Sequence, residues 1–200
     1  MTATSGEIFA PFRRLSRAIC RISTGKMVAA SLFLWLVFAA LINGRPFGIA
    51  GLEEITGGAT VPDMTFSTNP DQVYAVIDAL GEAGRAFDLT RVIPLDLVFP
   101  FTYALFLSVA ITWVLLRLLP LESPWMGVNL LPLIAATADY CENAGVIAML
   151  LAYPARLDAV AMGMILMSGV KFTFLALSFG VLFIALLVLA GKPVLRRGDA

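Results

Sequence analysis

Four apolar stretches, each long enough to cross a lipid bilayer, constrain this 200-residue chain more than any other feature. A membrane-spanning helix needs about 20 mostly apolar residues. The stretches are continuous and rich in leucine and alanine, whereas the strands of a membrane barrel alternate between apolar and polar residues. The sequence therefore predicts an all-α integral membrane protein, a bundle of four transmembrane helices at residues 27–42, 92–119, 125–151 and 157–190.

The segment before the first span, residues 1–26, combines basic residues with apolar residues at helical spacing. This pattern predicts a basic amphipathic helix on the cytoplasmic surface of the membrane, and it fits a plain positive topology signal equally well. A cleaved signal peptide is the alternative for this region. The long leader and the sequence Asn43-Gly44-Arg45-Pro46, a poor cleavage site, argue against it.

The segment between the first two spans, residues 43–91, is the only long polar part of the chain. Glycine and proline residues predict a loop in its first half. A helix start follows, because Asn69 can cap a helix and Pro70 suits its first position. An apolar stripe continues from there, which predicts a short amphipathic helix over 70–87 that either covers the exterior end of the bundle or lies on the outer membrane interface.

The distribution of lysine and arginine predicts the orientation in the membrane. With the N-terminus inside, the cytoplasmic segments contain Arg13, Arg14, Arg17, Arg21, Lys26, Arg117, Lys192, Arg196 and Arg197. The exterior segments contain only Arg45, Arg85, Arg91 and Arg156. The positive-inside rule then favours a multi-pass protein of the cell inner (plasma) membrane, with both termini and the tail at 191–200 in the cytoplasm.

Polar side chains at membrane depth indicate where a functional site lies. Asp139, Glu142 and Asn143 are spaced i, i+3, i+4 and share one helix face, and burying them is costly unless they are paired or solvated. Counting about 1.5 Å per helical residue brings side chains of the second and fourth spans to the same outer half of the membrane. The predicted site, open toward the exterior, comprises Asp139, Glu142, Asn143, Lys171, Tyr103, Asp96 and Ser168.

Lys171 is the one basic residue deep inside a predicted span. An ion pair with Glu142 or with Asp139 would lower the cost of burying both partners. Pro100 lies inside the second span, where it is expected to kink the helix and free a carbonyl near residue 96. Asp96 itself lies nearer the interface, where capping the span or pairing with Arg85 or Arg91 is the alternative to a role in the site.

Several kinds of chemistry are excluded or disfavoured by composition. The chain contains no histidine, which excludes histidine acid–base catalysis and histidine metal ligation. No cofactor is predicted. Oxygen ligands that suit Mg²⁺ or Mn²⁺ are offered by Asp96, Asp139, Glu142 and Asn143, but Lys171 competes with a metal ion for the same carboxyl groups. The formal net charge is zero, so there is no electrostatic argument for nucleic acid. Cys20 and Cys141 lie at different depths and are expected to be buried free thiols.

One set of short motifs runs through residues 60–175: Pro62-Asp63, Leu80-Gly81-Glu82-Ala83-Gly84-Arg85, Asp96-x-x-Phe99-Pro100-x-x-Tyr103, Asp139-x-x-Glu142-Asn143 and Lys171. In these motifs the chain resembles a family of bacterial four-span membrane proteins with no assigned biochemistry. The resemblance implies the four-span architecture and that these residues belong to one set, and it implies no substrate. Phe87 departs from the pattern, which has a tyrosine after the Gly-Arg turn.

Three functions remain open from the sequence. The first is binding or transfer of a small or lipidic molecule, with proton movement by Glu142 or Asp139. The second is a membrane-embedded enzyme acting on a lipidic substrate, with a carboxyl group as general acid–base tuned by Lys171. The third is an accessory or assembly subunit of a membrane complex, in which the polar network only specifies packing. The predicted partners are the lipid bilayer and a small-molecule or lipid ligand.

Overall fold

A computed structural model describes residues 10–191, and all regular secondary structure in that part of the chain is helical. Nine α-helices are present there: α1 Ala10–Ile22, α2 Gly25–Asn43, α3 Ile49–Thr56, α4 Pro70–Ala79, α5 Gly81–Phe87, α6 Ile93–Asp96, α7 Phe99–Leu115, α8 Leu131–Ala152 and α9 Asp158–Gly191. A π-helical turn, Asp88–Val92, joins α5 to α6, and Pro62–Met64 and Pro124–Leu130 form 3₁₀ turns. Residues 1–9 and most of the predicted tail, including Lys192, Arg196 and Arg197, lie outside the described residues.

Three helical runs in the described part are long and apolar enough to cross a membrane. They are α2, the run Gly81–Leu115 that contains α5 to α7, and α9, with mean hydropathies of 2.0, 1.9 and 2.7. The 22-residue α8 is not one of the three. Its polar residues, among them Asp139, Glu142 and Asn143, lower its hydropathy. An all-helical fold with apolar helices of membrane-spanning length is thus confirmed.

The run Gly81–Leu115 is the central element of the bundle. Of its most apolar window 67% is buried, against 11% for the windows of α2 and α9. The 17-residue α7 packs against α2, α8 and α9, and the 34-residue α9 packs along α8. The outer faces of α2 and α9 expose large apolar side chains such as Phe33 and Phe183. Large exposed apolar surfaces are typical of contact with lipid or with another protein.

The polar segment differs from its prediction at two places. Ile49–Thr56 is helical where a loop is expected. Gly57 (φ +75°) ends this helix, α3, and its N–H donates a hydrogen bond to the carbonyl of Glu53. Gly51 allows a close approach, since a Cβ there would lie 2.3 Å from the carbonyl oxygen of Pro46. The helix expected over 70–87 is divided into α4 and α5, because Gly81 adopts a φ of +61°.

The third predicted span is shorter at its start than the sequence suggests. Residues 124–130 form a 3₁₀ turn, and α8 begins at Leu131, six residues later than the predicted start at 125. Pro132 therefore lies in the first turn of α8, where a proline needs no N–H partner, and does not bend a longer helix.

The basic helix α1 packs on this 3₁₀ turn. Ser16 and Ile19 are buried, while Arg13, Arg17 and the other arginines of α1 are exposed. The Ser16 hydroxyl donates to the Met126 carbonyl at 3.2 Å, and Asn129 donates to the Ser16 carbonyl at 3.3 Å. The helix is thus held by polar contacts with the α7–α8 connection, with its arginines directed outward.

Candidate functional site

A cavity of about 230 Å³ lies where α2 ends, α7 begins and the two longest helices pass each other. Its wall combines apolar side chains, such as Val61, Ile93 and Val146, with a group of polar ones. The polar group comprises Asn43, Asp63, Asp88, Asp96, Tyr103, Asp139, Asn143 and Lys171. Elements distant in sequence therefore contribute to one polar site inside the bundle.

Lys171 on α9 forms ion pairs with both carboxyl groups of α8. Its Nζ lies 3.4 Å from Oδ1 of Asp139, and it contacts Oε2 of Glu142. The three side chains are 7%, 5% and 0% exposed, so water screens these charges little. Asp139 and Glu142 are one helical turn apart, which lets a single ammonium group contact both. Both ion pairs that the sequence offers as alternatives are present together.

Hydroxyl groups from two other helical positions complete this cluster. The Tyr103 hydroxyl on α7 donates to Oδ2 of Asp139 at 3.0 Å. The Ser168 hydroxyl on α9 donates to Oε1 of Glu142. Each carboxyl group therefore has a lysine on one oxygen and a hydroxyl on the other, as buried charges require.

The break between α6 and α7 supplies one further contact. Pro100 has no N–H, so the carbonyl of Asp96 loses its usual helical partner. The side chain of Asn143 donates to this carbonyl at 3.4 Å. The predicted freed carbonyl is thus confirmed, and α8 is tied to the irregular part of the central run.

The structure brings the seven predicted site residues into one region but divides them between two positions. Asp96, Tyr103, Asp139, Asn143 and Lys171 line the cavity. The other two, Glu142 and Ser168, are not part of the cavity wall and are hydrogen-bonded to each other.

The two arginines considered as partners for Asp96 are bound elsewhere. The Arg85 guanidinium donates to the carbonyl of Ile77 at 3.2 Å and lies over the ring of Tyr153, and Arg91 lies over the ring of Phe47. Asp96 has no ion-pair partner within 4 Å among residues 10–191.

Asp63 and Asp88 belong to the cavity wall and were not among the predicted site residues. Asp88 is only 1% exposed, and its Oδ2 has no hydrogen-bond partner among the described residues. Its position eight residues before Asp96, about two helical turns, is the signal that would have placed both on one face of a continuous helix. Asp63 lies in the Pro62–Met64 turn, which only the tertiary fold brings to the cavity.

Burial changes the acidity of Asp63, which lies outside the helical runs. Its half-buried carboxyl group has a pKa above the usual value, because removal from water disfavours the charged form. The positive charge of Lys171 acts in the opposite direction and limits the rise of this pKa. Asp63 therefore keeps its proton to a higher pH than an exposed aspartate does.

Metal ligands and thiols can be assessed from the same geometry. Within residues 10–191, no group of three aspartate, glutamate, cysteine or histidine side chains is arranged to hold a metal ion. Two of the proposed Mg²⁺ or Mn²⁺ ligands, Asp139 and Glu142, are engaged by Lys171.

Cys20 and Cys141 are free, as expected, but the prediction that both are buried is wrong: Cys20 is half-buried and Cys141 is exposed.

Comparison of the chain with family models, with curated proteins and with solved structures gives no match.

Proposed function

We propose that this chain is an integral membrane protein of four spans whose cavity binds or transfers a small or lipidic molecule. The fourth span is α8, whose 22 residues extend about 33 Å, close to the thickness of a bilayer core. Its charged side chains are buried against α7 and α9, so they would not face lipid. The family resemblance in the motifs supports the same architecture.

The proposed orientation follows from charge. The exposed arginines of α1 suit the cytoplasmic surface of an inner (plasma) membrane, and the acidic segment 43–91 would then face the exterior. In this arrangement α3, α4 and α5 cover the exterior end of the bundle, and the cavity is reached from that side.

Cysteine labelling tests this orientation and the crossing by α8. In a variant with Cys20 and Cys141 changed to serine, Thr68→Cys and Ala155→Cys are expected to react with a membrane-impermeant maleimide in intact cells. Glu122→Cys should react only after permeabilisation. Labelling of position 155 on the same side as position 122 would show that α8 does not cross, and a full reversal would overturn the orientation.

The cavity is the observation that carries the functional proposal. Small-molecule sites are mostly apolar concavities with a few convergent polar groups, and this one has that character. Its volume of about 230 Å³ is below the roughly 300–1,000 Å³ typical of sites for drug-sized ligands. The occupant would be a small molecule or the head group of a lipid.

The ion-pair cluster supports proton movement linked to binding. Asp139 and Glu142 share one ammonium group, so the cluster carries an excess negative charge when all three side chains are ionised. Uptake of one proton would neutralise that excess. Asp139 lines the cavity and Glu142 does not, which favours Asp139 as the proton carrier and Glu142 as the residue that holds Lys171 in place.

Retention of a bound molecule tests the proposal. Native mass spectrometry of the purified wild-type protein is expected to show a retained small molecule or lipid. Asp139→Asn should reduce its occupancy about tenfold or more, because loss of a buried charged hydrogen-bond partner costs at least about 1.4 kcal/mol. Asp158→Asn, which neutralises an exposed carboxyl group on the same helix as Lys171, serves as the control. A folded Asp139→Asn protein with unchanged occupancy would contradict the proposed function.

A further inference from the structure

We propose that the cavity ligand is a small organic cation, an ammonium group attached to an apolar body. This inference rests on the proposed function and specifies the chemistry of its ligand.

The charges in the cavity wall are unequal. Four carboxyl groups line it, and the one lysine there, Lys171, is already held by Asp139 and by Glu142 behind the wall. The other three carboxyl groups have no ion-pair partner within 4 Å in the part of the chain described; they belong to Asp63, Asp88 and Asp96. A cationic ligand would favour the ionised form of these carboxyl groups and balance their charge, whereas an anionic ligand would disfavour that form.

Asp88 identifies where the ammonium group would bind. Its side chain is almost completely buried, it lines the cavity, and its Oδ2 lacks a hydrogen-bond partner among the described residues. Buried carboxyl oxygens are normally paired, and an unpaired one is costly. An ammonium donor in the cavity would supply both the missing hydrogen bond and the opposite charge.

The remaining wall suits an organic cation better than a metal ion. Rings of Phe99, Tyr103 and Phe172 line the cavity, and aromatic faces attract ammonium groups. Lys171 already places its Nζ 5.0 Å from the ring centre of Phe172. The apolar side chains around them would pack against the carbon body of the ligand. A hydrated metal ion gains nothing from such a surface, and the described residues offer it no set of three ligands.

The approach to the cavity has the same sign of charge. Besides Asp63 and Asp88 of the cavity wall, residues 43–91 contain five acidic residues against three arginines. Exposed acids there include Glu53, Asp78 and Glu82. A negatively charged approach raises the local concentration of cations and speeds their association, in a salt-dependent manner.

Three probes of nearly equal size and shape test the charge preference: benzylammonium chloride, benzyl alcohol and sodium benzoate. Binding to the purified full chain in detergent is measured at neutral pH by calorimetry, with sodium chloride keeping the ionic strength constant. Benzylammonium is expected to bind at least about tenfold more tightly than benzyl alcohol, and benzoate more weakly than either. Asp88→Asn should weaken benzylammonium binding about tenfold and leave benzyl alcohol binding nearly unchanged.

Glu122→Gln is the matched control, because it removes an exposed carboxyl group from the α7–α8 connection, outside both the cavity wall and residues 43–91, and it should change benzylammonium binding less than twofold. If Asp88→Asn does not fold, Asp63→Asn, on a half-buried turn, replaces it with the same direction of effect. A preference for benzyl alcohol or benzoate would overturn the cationic ligand. So would the absence of any binding of benzylammonium to folded wild-type protein. Either result leaves the proposed function to be decided separately by the retained-molecule experiment.

Discussion

Lys171→Met is expected to lower the free energy of unfolding by about 3–5 kcal/mol, because it leaves two buried carboxyl groups without their cation. Asp139 and Glu142 are at most 5% exposed, so water cannot replace the ammonium group. Reversible unfolding of the purified protein in mixed micelles, followed by circular dichroism, measures the change. A second substitution, Glu142→Gln, should recover more than half of the loss, because Asp139 alone keeps its bond from Tyr103.

Arg156 provides a matched control for this prediction. Like Lys171, it is one cation between two carboxyl groups, at 2.6 Å from Asp71 and 3.0 Å from Asp158. These three side chains are 43–83% exposed, so the pairs are screened by water. Arg156→Met should therefore change stability little. Equal effects of Arg156→Met and Lys171→Met would show that the Lys171 cluster is hydrated and not part of a closed protein interior.

Gly145→Leu is expected to destabilise the protein by about 1–3 kcal/mol through overpacking between α8 and α9. A Cβ at Gly145 would lie 3.3 Å from Cβ of Met164 and 3.6 Å from Cγ1 of Val160. Met164 is itself buried and cannot move into solvent. Small residues at such crossings let helices approach closely, and the cluster of Lys171 with the α8 carboxyl groups depends on that approach.

Two measurements separate this packing effect from a general intolerance of leucine. Gly169→Leu places the same side chain on exposed α9 surface, where no atom lies within 4 Å of an added Cβ, and it should leave the unfolding transition nearly unchanged. The coupling energy between Lys171→Met and Glu142→Gln, from a double-mutant cycle, should fall in the Gly145→Leu background. An undiminished coupling energy would mean that the helix separation does not control the ion pair.

The part of the site on α8 and α9 could be predicted from the sequence because it depends on regular helices. Asp139 and Glu142 follow from the helical period, and Lys171 follows from counting rise per residue along two neighbouring helices. The freed carbonyl of Asp96 could be predicted for a similar reason, since Pro100 has no N–H to donate to it.

The rest of the site depends on irregular structure that local patterns do not determine. Asp88 lies in the π-helical turn of the central run, so its position in the cavity wall depends on an irregular turn as well as on its spacing from Asp96. Asp63 enters because the chain after α3 folds back over the cavity. Gly51 and Gly57 are typical loop residues in a sequence, yet here they allow a tight contact and end a helix. In each case tertiary packing selects one of several conformations that the local sequence permits.

The length of α9 links the site to the thickness of the surrounding bilayer. Its 34 residues extend about 51 Å, whereas the hydrocarbon core is about 30 Å thick, so in the proposed topology α9 must tilt or protrude. Lys171 lies about 20 Å from the start of this helix. A tilt of α9 relative to α8 would shift its ammonium group along the carboxyl groups of α8. A membrane thickness that changes this relative tilt would thus adjust the electrostatic balance of the cavity without contacting the cavity itself.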